Sequence, residues 1–140
     1  MKNCWNILSD RAQSSANEAQ AVVVQARARV AQLEGSLAHI AKLRLDYVER
    51  YNAAQKEAHM IADNLAYRQF IEHLQGLADR VQGQLATAQH EHEQARQAWT
   101  LAQREHAKME SMVERDARNL AQAKASGAHG IFDAKYGEWL

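Results

Sequence analysis

No proline occurs anywhere in the chain, so no residue in it sterically forbids a helix. A single cysteine, Cys4, excludes an intramolecular disulfide and fits a reducing compartment. Aromatic residues make up only 6% of the sequence, and much of its apolar content is alanine, which leaves too few large side chains for a thick globular core. Neither sign of charge is in excess. Lys and Arg number 17 and so do Asp and Glu, and the two are interspersed. That argues against nucleic acid, whose binding rests on a basic excess. No apolar run approaches a membrane span. The amino-terminal MKNCWNILSDR holds an apolar patch too short for a secretory signal, and Asp10 and Arg11 follow it. A cytoplasmic protein is the expectation.

What remains is rich in Ala, Gln, Glu, Arg, Lys and Leu, the composition of long helices and coiled coils. From Ala12 a heptad runs unbroken through Ala16, Ala19, Val23, Ala26, Val30, Leu33, Leu37, Ile40, Arg44, Tyr47, Tyr51, Ala54, Ala58 and Ile61. Arg44 alone breaks its apolar character. Ser9 or Asp10 is a candidate N-cap. A second heptad runs through Tyr67, Ile71, Leu74, Ala78, Val81, Leu85, Ala88, His92, Ala95, Trp99, Ala102, His106, Met109, Val113, Asp116, Leu120 and Ala123. Each stripe is too narrow to be stable alone, so each needs the other. The fold class expected is all-α, two long helices in an antiparallel coiled-coil hairpin over residues 1–125.

No Gly or Pro marks the turn. It is placed within His59 to Asn64, with Asp63 or Asn64 capping a second helix that begins at Leu65; one continuous helix with no turn is the competing reading. Residues paired across the hairpin then have numbers summing to about 125. Trp99 faces Ala26, His106 faces Ala19, Met109 faces Ala16 and Ala102 faces Val23, so that a large side chain meets a small one. Gly127 and Gly130 are expected to end the second helix, leaving 126–140 as a flexible tail. Its Ile131, Phe132, Tyr136, Trp139 and Leu140 are either disordered or a small docking element.

The run His90-Glu91-His92-Glu93 has the residue types of a metal site but not the geometry. Residues two apart on a helix point about 200° apart and cannot chelate one ion. No metal or other cofactor is expected. No phosphate loop, nucleophile elbow or paired-carboxylate cleft occurs, and two helices form no deep pocket, so an enzyme is not expected. His92 and His106 read as packed seam residues. Phe70 and Leu77 are different. They fall off the seam on one flank, one heptad apart, where a two-helix hairpin has no third layer to cover them. An exposed apolar patch of that kind marks a partner site.

The segments LRLDYVERY (43–51) and YRQFIEHLQGLADRV (67–81) resemble the FliJ family of flagellar type III export. A Tyr-x-x-x-Tyr pair there precedes a turn and a Tyr-x-x-Phe-x-x-x-Leu segment. Trp99 and Met112-Val113-Glu114-Arg115 are similar too. The resemblance implies a stalk of the cytoplasmic export ATPase that works with the ATPase regulator. It also implies contact with the cytoplasmic domain of the membrane export gate, escort of export chaperones, and peripheral association with the inner membrane. By position, the gate-facing surface is Tyr47, Tyr51, Phe70, Leu74, Leu77 and Val81. The chain departs from the family at Arg44, where an apolar residue is usual, and in its GAHGIFDAKYGEWL ending. The related stalk of a virulence or symbiosis injectisome, and a structural adaptor unrelated to secretion, stay open.

Overall fold

The computed structural model describes residues 4–56 and 61–137, with side chains for 4–56 and 63–127. Two helices make up all of this. Helix α1 is Cys4–Lys56 and α2 is Ile61–Gly137. They pack against each other as an antiparallel helical hairpin, the fold class expected. The chain divides into two units. One comprises residues 1–20 and 97–140, the other residues 21–96.

In the unit of residues 21–96 the heptad has become a core. Leu33, Ile40, Leu74, Val81, Leu85 and Ala88 are buried together, with Val30, Leu37, Leu43, Tyr47, Leu77 and Ala78 packed against them. Leu43 takes the place expected for Arg44, which is exposed. The seam passes on the leucine side, so the guanidinium keeps its water. Core residues are spaced by three and four, and the faces between them carry Gln, Glu, Arg and Lys. Pairs along one helix, such as Asp46–Arg50 (3.2 Å) and Glu93–Arg96 (3.2 Å), tie that solvated face together. Each is worth only about 0.3–0.5 kcal/mol, so the stripe and not the charges holds the helices.

In the unit of residues 1–20 and 97–140 the stripe is thinner. Ala16 is its buried residue, with Ala12 and Ala19 half-buried on α1. On α2, Trp99, Ala102, His106, Met109, Val113 and Asp116 are half-buried. The stripe stops there. Leu120 is 52% exposed and Ala123 is exposed, though both continue the heptad. The reason is length: α2 is 77 residues long and α1 is 53.

Four expectations are corrected. Helix α2 begins at Ile61 instead of Leu65, so Asp63 sits inside its first turn, where a carboxylate complements the helix dipole without capping. The linking residues 57–60, with Ala58 and His59, lie outside the described residues. Helix α1 begins at Cys4, which places Ser9 and Asp10 within it. The register is displaced by about one heptad. Tyr47 packs on Phe70, and these numbers sum to about 117, not 125. Trp99 and Ala26 fall in different units, as do Ala102 and Val23. Finally, α2 continues through Gly127 and Gly130 to Gly137. No described glycine has a positive φ, so Gly127 forms no left-handed cap. A glycine costs a helix only about 1 kcal/mol, which alanine-rich flanks outweigh. The side chains of Ile131, Phe132, Tyr136, Trp139 and Leu140 lie outside the described residues.

Candidate partner-binding surface

The aromatic residues gather at the end of the 21–96 unit nearest the link between the helices. Tyr47, from the last third of α1, meets α2 at two rings. Its centroid is 4.4 Å from that of Phe70 and 6.4 Å from that of Tyr67, tilted by 50° and 53°. These are edge-tilted geometries that aromatic quadrupoles favour. The Arg50 guanidinium lies 5.2 Å from the Tyr47 centroid while its Nη2 pairs with Asp46 Oδ2. The next turn of the same helix thus clamps the tyrosine by a cation–π contact. Tyr47, Tyr67 and Phe70, with Ala66 and Asp63, line an open groove of about 340 Å³. A second groove of the same volume is lined by Val48, Tyr51, Asn52, Arg68, Ile71 and Glu72. There the Tyr51 hydroxyl accepts a hydrogen bond from Gln55 Nε2 at 2.5 Å.

The six residues assigned to a partner surface therefore do not share one face. Phe70 is 37% exposed and available. Tyr47 is half-buried beside it. Tyr51 lines the other groove, with Ile71 in place of Phe70. Leu77 is half-buried and packed on the core. Leu74 (3% exposed) and Val81 (9%) are the core itself and offer nothing to a partner while the helices are paired. The expectation that nothing covers Phe70 is also corrected: Tyr47 covers one side of it. Sequence reasoning did not single out Arg50 for this site, and read Asp63 only as a cap. The signal for Arg50 was present, three residues after Tyr47 and so on the same helical face.

His90 is exposed and His92 half-buried, its Nε2 enclosed with no hydrogen-bond partner. Among the described residues no three His, Cys, Asp or Glu side chains converge on a common point. No described helix is long and apolar enough to cross a membrane.

Fold and surface together define an all-helical hairpin that displays an aromatic groove beside the link between its helices. The chain belongs to the FliJ family: the family model described as "Flagellar FliJ protein" matches residues 6–126, most of its length. It is therefore associated with flagellar and type III protein export. No curated protein and no solved structure gives a significant match.

Proposed function

We propose that the chain is a non-enzymatic stalk and adaptor of a bacterial type III export apparatus serving flagellar biogenesis. In this reading it links the cytoplasmic export ATPase and its regulator to the membrane export gate and escorts export chaperones. It works in the cytoplasm and reaches the inner membrane peripherally, through the gate. The family match supports the export role. The observation that carries the adaptor role is Phe70, a large aromatic held by Tyr47 yet still 37% exposed. Fully burying such a side chain stabilises a complex by about 1.5–3 kcal/mol, and aromatic anchors commonly dominate interface energies.

The test replaces Phe70 with Ala and with Glu and leaves Leu77 alone, since Leu77 supports the core. Circular dichroism first establishes that each variant is helical. Binding to the cytoplasmic domain of the export gate and secretion of flagellar substrates are then measured. Both should fall, further for Glu than for Ala. A folded variant that binds and secretes at wild-type levels refutes the assignment of this surface.

A further inference from the structure

Grooves in the 21–96 unit differ in the charges of the described side chains that line them. The Tyr51 groove carries Arg68 and Glu72, which cancel. A smaller one is lined by His39, Lys42, Leu43 and Asp46, again of mixed sign. Among the described residues, the groove of Tyr47, Ala66, Tyr67 and Phe70 is lined by one charged side chain, the exposed Asp63. Arg50, the cation that sits over Tyr47, is already paired with Asp46. No described side chain pairs with Asp63. An apolar floor with a carboxylate at its rim selects by sign as well as by size. At about 340 Å³ the groove stands at the small end of ligand sites, which suits a single anchoring side chain.

We propose that this groove seats one large apolar side chain of a partner protein segment whose neighbouring residue is lysine or arginine, the cation lying against the Asp63 carboxylate. This rests on the adaptor reading above and adds to it the chemistry of the bound segment. The apolar anchor packs between Tyr67 and Phe70 and covers the exposed edge of Phe70. The cation supplies orientation, because an anchor flanked by an acid is repelled at the same rim.

The probe is a display library of short random peptides, selected on the full-length chain, with the Phe70→Ala chain as the background. Enriched peptides should carry an aromatic residue, Leu or Met within one turn of Lys or Arg. Synthesised and titrated, they should bind Asp63→Lys roughly three- to tenfold more weakly, and Asp63→Glu as well as wild type. Selection repeated on Asp63→Lys should replace the basic neighbour by an acidic one. Enrichment without a basic preference, unchanged affinity for Asp63→Lys, or no enrichment over the Phe70→Ala background each overturns the proposal. Circular dichroism of the Asp63 variants separates lost binding from lost helix. Gate binding distinguishes the two readings. If Phe70→Ala loses the gate domain while Asp63→Lys keeps full affinity, the adaptor reading stands and this one falls. If neither variant changes gate binding, both fall.

Discussion

Leu74→Ala tests whether the core of the 21–96 unit holds the chain together. Leu74 is 3% exposed and lies in the cluster with Leu33, Ile40, Val81, Leu85 and Ala88. Truncating a buried leucine to alanine costs about 2–5 kcal/mol, the spread reflecting how far the surroundings collapse into the cavity. Two helices with no third layer can close in readily, so the lower part of that range is expected, about 2–3 kcal/mol. Leu101→Ala is the control. Leu101 is 63% exposed, and alanine is at least as good a helix former, so its effect should stay within about 0.5 kcal/mol of zero. Phe70→Ala should fall between them. It removes a tilted aromatic pair worth about 0.5–1.5 kcal/mol but vacates little enclosed volume. Urea titration followed by circular dichroism gives the ranking. Hydrogen exchange at amides around Ile40 and Val81 reports whether the loss is local to this unit, which whole-chain unfolding of two units does not resolve. Equal destabilisation by Leu74→Ala and Leu101→Ala would refute the assignment of the core.

The register is open to crosslinking. In a Cys4→Ser background, cysteines at Tyr47 and Phe70 should join within one chain through a short bifunctional reagent. The pair Tyr47 and Ala78, which a sum of 125 would oppose, should not, because eight residues of helix separate their targets by about 12 Å. Crosslinking of the second pair alone would restore the earlier register. Glycine sites give a gain of stability. A methyl group at Gly35, Gly76 or Gly83 meets nothing within 4 Å, so each Gly→Ala should stabilise by about 0.5–1 kcal/mol in the same urea titration. Loss of stability at any of them would show that the site is more crowded than its geometry. Removing residues 1–15 should weaken co-purification with the export ATPase and leave gate binding near normal, since the aromatic groove lies in the other unit. Equal loss of both would contradict the division of labour.

Much of the seam was legible because a repeat of three and four has few physical meanings. On α2 every heptad position from Tyr67 to Asp116 is buried or half-buried. On α1 the exception is Arg44, where charge outweighed periodicity and Leu43 took over. The link between the helices was harder to read. With no Gly or Pro to mark it, an acid and an asparagine near residue 63 looked like a cap, while the helix had already begun at Ile61. That misplacement carried into the register and hence into which residues share a face. Tyr51 and Phe70, drawn together by spacing, line different grooves. Leu74 and Val81 carried two signals, seam position and family likeness, and burial shows that the first prevails. Leu120 could not be read correctly from its own heptad, because its exposure depends on where the other helix starts.

The shallow burial of the large side chains has a mechanical consequence. No large side chain in the described structure is fully buried, and at Ala88 and Ala95 the same side chain recurs one heptad on. Such a seam works like a vernier with few engraved marks. A slide of seven residues would put Ala95 in the place of Ala88, which costs little, but His92 in the place of Leu85, which costs much more. The marks are the bulky contacts, chief among them Tyr47 on Phe70 with Arg50 behind. The residues proposed for a partner are thus the same ones that hold the two helices in step. A partner that grips Phe70 acts directly on the alignment of the pair.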